Sequence, residues 1–251
     1  GKERVYEGMT GFAFGDVLTK VAPDYPDTRF VIIDTVVEAP NVQSVVFNEG
    51  EGSYLAGIAA AKASKSGTVG FIGGMDVPLI RKFACGYVQG VKATNPDAKV
   101  IQNMTGTTPA AWNDPVKGAE LARAQISQGA DVIYAAAGGT GIGVLQAAAD
   151  EGILSIGVDS NQNHLHPGKV LTSAIKRVDT AVYDAFKAGT EVEVGKTNIW
   201  DVAHDGVGVA MDDNNKPLVS DEMAKAVEDA RAKIASGELK VVNYNTGNAC
   251  P

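Results

Sequence analysis

Several short apolar runs in this chain end in residues that could bind a ligand. Arg29–Ile33 closes on Asp34, Thr68–Gly74 on Met75-Asp76, Ile153–Val158 on Asp159 and Val170–Ile175 on Lys176. A further run, Val132–Ala137, leads into Gly138-Gly139-Thr140-Gly141, and Gly11-Phe12 follows a short first strand near Arg4–Met9. Runs without alternation suit parallel strands covered on both faces. In an open α/β sheet, ligands bind beyond the carboxyl ends of such strands. Brought to one cleft, the carboxylates of Asp34 and Asp159 would accept hydroxyls of a sugar ring, each charge-assisted bond being worth roughly 1.5 to 3 kcal/mol. The plainer readings stand beside these. Asp76, with Pro78 behind it, suits a helix N-cap, while Asp34 and Asp159 would merely begin turns. Trp112, next to Asn113-Asp114-Pro115, is either a core anchor or a platform for an aromatic ring.

Other chemistries fail on spacing. From Gly139 or Gly141, the third glycine of a dinucleotide fingerprint would fall on Val144 or Gln146. Gly195-Lys196-Thr197 ends like a phosphate loop, but the upstream glycine is Thr190, so the stretch reads as a solvent turn. No Gly-x-Ser-x-Gly occurs. His164 and His166 precede Pro167-Gly168 in a polar loop, and with Asp159 they would need a third metal ligand that the sequence does not supply. No cofactor, metal or catalytic constellation is therefore expected. A net charge of −8 without a basic cluster argues against nucleic acid as a partner. No apolar run approaches the ~20 residues of a membrane span. Cys85 and Cys250 belong to no Cys-x-x-Cys motif. They would form one long-range disulfide in an oxidising compartment, or remain a buried thiol and a tail residue.

Strands and helices alternate along the chain, which predicts an α/β protein with doubly wound parallel sheets. Helices are expected from Asp16, from Ser53, after Pro78, from Pro115 to Gly129, from Gly141 to Glu151, from Asp179 to Lys187, and from Glu222 to Ala235. The series divides into two lobes, residues 1–65 with 176–251 and residues 66–175.

Four collinear stretches are more specific than any single motif: Val69–Asp76, Gly129–Gly141, Gly157–Gln162 and Leu171–Asp179. Together they closely resemble the basic membrane protein family, purine nucleoside receptor-like substrate-binding proteins of ABC importers. The resemblance implies a type I periplasmic-binding-protein fold, two α/β lobes joined by a hinge and closing on a nucleoside. Carried over by motif, Asp34 and Asp159 would bind ribose hydroxyls, Lys176 would donate to the ligand, Trp112 would stack on the base, and Gly138-Gly139 would offer backbone. Trp112 stands where family members often have phenylalanine. Phe12 would serve as an auxiliary apolar wall.

Family members begin with a further strand and helix, and this sequence starts near their third strand. The first lobe is thus expected to lack its N-terminal strands, a segment on the order of 50 to 60 residues. The implied function is non-enzymatic capture of adenosine, guanosine or inosine for delivery to an ABC permease. The implied location is periplasmic or extracytoplasmic, with membrane attachment only through an N-terminal lipid anchor outside this sequence. Another sugar-like or heterocyclic ligand, a nucleoside-processing enzyme and a ligand-sensing regulator core are the alternatives.

Overall fold

A computed structural model describes residues 6–244 and residue 250. The first elements are β1 (Tyr6–Thr10), α1 (Gly15–Val21), β2 (Arg29–Ile33), β3 (Val42–Phe47) and α2 (Glu49–Ala63). Next come β4 (Thr68–Met75), α3 (Pro78–Thr94), β5 (Lys99–Gly106), α4 (Pro115–Ser127), β6 (Val132–Ala136) and α5 (Gly139–Asp150). The series closes with β7 (Leu154–Asp159), β8 (Val170–Lys176), α6 (Val178–Ala188), β9 (Lys196–Trp200), β10 (Val207–Val209) and α7 (Asp221–Ala235).

These elements form two compact units, residues 1–48 with 177–201 and residues 49–176 with 202–251. The smaller unit holds a parallel sheet in the order β1-β2-β3-β9. Every residue of Phe30–Ile33 is buried, as the unalternating run requires. Leu18 and Ala22 pack with Phe30, Ile32, Val37 and Val42 into the core on one face. On the other face α6 approaches Val31 and Ile33 through Val182 and Ala185.

The larger unit holds a sheet in the order β10-β8-β7-β6-β4-β5, parallel except for β10. Ile72, Ile133 and Ala135 of the sheet, with Ala122, Val144 and Ala147 of α4 and α5, form the core on one face. On the opposite side, Phe71, Tyr87 and Tyr134 cluster with ring centroids 5.3 to 6.2 Å apart, Phe71 and Tyr134 meeting edge to face and the other two pairs tilted. Helices α2 and α3 cross backbone to backbone. A Cβ at Gly57 would lie 2.9 Å from the Val91 nitrogen, and one at Gly90 would strike the Tyr54 carbonyl. Helix α3 buries Ile80, Phe83, Ala84, Tyr87 and Val91, while Val88 is only half-buried.

The division between units runs differently from the one expected. Helix α2 and everything after Asp201 belong with the larger unit. The reason lies in pairing: α2 packs on α3, β8 and β10, β10 hydrogen-bonds antiparallel to β8, and α7 lies on α2. Gly195-Lys196-Thr197 also departs from expectation. It opens β9, because Gly195, at φ 72°, donates its N–H to Val42 O (2.8 Å) and brings Lys196 into register with Gln43.

Cys85 of α3 and Cys250 form a disulfide with Cα atoms 5.4 Å apart. Gln89, one turn further along α3, exchanges two hydrogen bonds with the Val242 backbone, at 3.0 and 2.9 Å. Among the described residues no helix is long and apolar enough to cross a membrane.

Candidate ligand site

Parallel pairing puts the carboxyl ends of β4, β6, β7 and β8 on one edge of the larger sheet, where the register aligns Gly73 with Ala136 and Asp159 with Ile175. Four of the anticipated groups, Trp112, Gly138-Gly139, Asp159 and Lys176, therefore stand at the same edge.

Trp112 ends a 3₁₀ turn, Pro109–Trp112, and is half-buried. Its indole lies against β4 at Gly74, where a Cβ would collide with the ring. A Cβ on Gly138 would come 3.5 Å from Trp112 Cε3, and one on Gly139 would come 3.1 Å from the Trp112 carbonyl. The tryptophan is thus anchored between β4 and the glycine turn. Gly138 has φ 55° and ψ −135°, a conformation that side chains oppose, and it precedes the first turn of α5. Thr140 fastens the same corner. Its buried hydroxyl donates to Ala111 O (2.7 Å) and accepts from the Asp114 N–H (2.7 Å). Asp114 in turn caps α4 by accepting from the Lys117 N–H (2.9 Å).

Asp159 ends β7 in an exposed position at φ 64°. The loop beyond it is tied down by side chains. The Val158 N–H donates to Gln162 Oε1 (2.9 Å), and the Ser173 hydroxyl accepts from the Gln162 N–H (2.9 Å) while donating to Asn163 Oδ1 (2.8 Å). Gly157 leaves the room this requires, since a Cβ there would sit 2.7 Å from Gln162 Oε1.

Lys176 ends β8 and is 7% exposed. Its Nζ lies 3.2 Å from Glu49 Oε1 and 5.9 Å from the centre of the Phe83 ring. Glu49, in the first turn of α2 and 2% exposed, also meets Lys82 Nζ at 3.7 Å through its other oxygen. Below this edge Tyr134 shares a hydrogen bond with Ser53 (3.3 Å), while burial and the charges of Asp159 and Glu49 push its hydroxyl far above the usual phenol range.

Glu49 was invisible to sequence reasoning. Asn48-Glu49-Gly50-Glu51-Gly52 reads as a polar glycine loop, and the helix expected from Ser53 begins four residues earlier. Asp76 corrects the reading in another way. The residue before α3 is Val77, and the Asp76 carboxylate instead accepts from Arg81 Nε and Nη2, both at 2.7 Å. This fork holds Asp76 below the ordinary carboxyl range. His164 is exposed in a 3₁₀ turn, and the described residues contain no group of side chains arranged to hold a metal.

In the smaller unit, Asp34 follows β2 at φ 76°, half-buried, with its N–H donating to Val45 O (2.9 Å). Phe12 opens a 3₁₀ turn after β1 and is half-buried; Gly11, at φ 113°, links that corner to Ile33 O (3.1 Å). Both anticipated residues of this unit therefore also follow parallel strands at their carboxyl ends.

Comparison with known proteins gives the same picture. The solved structure of an ABC transporter solute-binding protein from Aeropyrum pernix K1 is similar at a TM-score of 0.84 and 28% identity, over 95% of this chain and 77% of that one. The fold is that of the type I periplasmic-binding proteins, the class of ABC transporter solute-binding proteins. Residues 8–245 match the family model described as ABC transporter substrate-binding protein PnrA-like, and the chain belongs to that family. Basic membrane protein D of Borreliella burgdorferi is 35% identical over 240 residues, 92% of this chain and 69% of that protein. The ABC transporter nucleoside-binding protein BmpA of Lactococcus lactis subsp. cremoris is 35% identical over 258 residues, with the same shares.

Proposed function

We propose that this ABC transporter substrate-binding protein captures a purine nucleoside outside the cytoplasm and delivers it, chemically unchanged, to a membrane permease. The observation that carries the reading is the pair Asp34 and Asp159. Each directly follows or ends a parallel strand, and each is held at positive φ, 76° and 64°. Non-glycine residues seldom adopt that conformation, and where they do they often mark functional positions. Among the described residues the third such residue, Asp205, lies outside any strand end. A strand-end carboxylate of this kind suits ribose hydroxyls, and within the larger unit Asp159 shares its sheet end with the Trp112 face, which suits a purine ring, and with Lys176, which suits an acceptor atom. The nucleoside-binding relative supports the same choice.

The test is calorimetric titration of protein refolded free of co-purified ligand with adenosine, guanosine and inosine, with ribose and free bases as controls. Saturable binding of at least one intact nucleoside, and its recovery unaltered after incubation, is the expected result. Binding of ribose alone with equal affinity, or release of free base, would overturn the reading.

A further inference from the structure

The arrangement around Lys176 goes beyond naming it as a ligand contact. Its ammonium is held from two sides, by Glu49 Oε1 at 3.2 Å and by the Phe83 ring at 5.9 Å. Glu49 lies on α2 and Phe83 on α3. Along the sheet its neighbours are Val207 of β10 and, one residue back, Ile175 paired with Asp159 of β7. Glu49 is not devoted to Lys176 alone, because its Oε2 meets Lys82 of α3 at 3.7 Å. A carboxylate 2% exposed is costly to bury unless paired; Lys176 stands within hydrogen-bond distance of Oε1, while Oε2 has only the longer ion pair to Lys82 and, among the described residues, no hydrogen bond.

We infer that Glu49 is the positioning residue of the ligand site, its carboxylate aiming the Lys176 ammonium at an acceptor atom of the nucleoside while Lys82 secures the carboxylate from behind. An ammonium has three donors and no acceptor on a flexible four-carbon stem. Engagement by Glu49 restricts the direction of the ammonium, and the Phe83 ring restricts the stem. Lysine rotamer freedom, costly to freeze when a ligand binds, is thereby largely removed beforehand. The inference rests on the proposed role of Lys176 as a ligand donor.

Calorimetry with the tightest-binding nucleoside, on Glu49→Gln, Lys82→Met, Lys176→Met and the pairwise doubles, tests it. Glu49→Gln and Lys176→Met are each expected to weaken binding about tenfold or more, the scale of one charge-assisted hydrogen bond. Lys82→Met, whose ammonium stands 3.7 Å from the carboxylate oxygen that does not face Lys176, keeps affinity within about threefold, its cost falling on stability instead. Glu49→Gln adds no further loss to Lys176→Met, because the two act through one contact. Should Glu49→Gln fold poorly, the Glu49→Gln/Lys82→Met double restores the formal charge of the cluster and is expected to fold while keeping the binding defect. Unchanged affinity in Glu49→Gln, or full additivity with Lys176→Met, overturns the inference while the nucleoside reading stands. If the unaltered protein binds no nucleoside, that reading fails instead, and the ammonium resonances of ¹⁵N-lysine-labelled, ligand-free protein decide the positioning role. The Lys176 signal should shift or vanish in Glu49→Gln and persist in Lys82→Met, and a signal unmoved by Glu49→Gln ends the proposal.

Discussion

Replacing Gly74 with alanine puts a methyl group where the Trp112 indole lies. Gly74 has no positive φ, so the backbone itself would accept alanine, and the loss of glycine entropy would stabilise by about 0.4 to 1 kcal/mol. Against this stands overpacking, typically about 1 to 3 kcal/mol when neighbours cannot retreat. Retreat is restricted here because the turn at Gly138 also stands close to the ring, a Cβ there coming 3.5 Å from Trp112 Cε3. The balance is a net loss of about 1 to 2 kcal/mol. In a Trp112→Ala background the obstacle is gone, and the same Gly74→Ala change should become neutral or stabilising by about 0.5 kcal/mol. Urea unfolding of the four proteins measures this coupling. Trp112 emission can be followed alone in a Trp200→Phe background, since the chain has two tryptophans. Equal effects of Gly74→Ala with and without the indole, or emission unmoved by the methyl, would refute the sandwich as a constraint on Trp112.

Asp159→Asn and Asp34→Asn preserve a residue type that tolerates positive φ while removing the charged acceptor, so each should lower nucleoside affinity about tenfold or more with little change in melting temperature. Calorimetry beside thermal melts separates the two effects. The Cys85–Cys250 bridge spans 165 residues, and on chain entropy alone its removal by Cys85→Ser with Cys250→Ser costs about 5 kcal/mol, an upper value for measurements that usually fall between about 2 and 5; denaturant unfolding with and without reductant checks it. Arg81 holds Asp76 below its ordinary value of 3.8, so the pair adds stability above that pH and loses it as the pH falls through the lowered value. A small stability difference between wild type and Asp76→Asn at neutral pH should accordingly close under acid titration.

Much of the architecture was legible because it depends on local pattern. The unalternating runs at Phe30–Ile33 and Val132–Ala137 read as doubly covered strands, and both are buried throughout. Asp114 at the start of α4 behaves as capping chemistry requires. What stayed hidden depends on partners distant in sequence. Glu49 looks like a solvated acid until Lys82 and Lys176 are folded over it. Asp76 has the composition of a cap, but a guanidinium five residues away competes for the same oxygens and offers a fork. Helix α2 follows Asn48 directly, so sequence distance suggests it belongs with β3, whereas its glycine and alanine surface fits α3.

Among the described residues, the last strand to join the sheet of the smaller unit is β9, whose partner β3 lies 153 residues earlier, from Gln43 to Lys196. The five parallel strands of the larger unit, by contrast, run without interruption from Thr68 to Lys176. A ribosome releasing this chain would thus expose β1, β2 and β3 with the outer side of β3 unpaired until almost the whole of the larger unit's central sheet had emerged. The smaller unit's stability therefore arrives late in synthesis, and in that interval its unpaired β3 edge is the part of the chain most in need of protection from pairing with other chains.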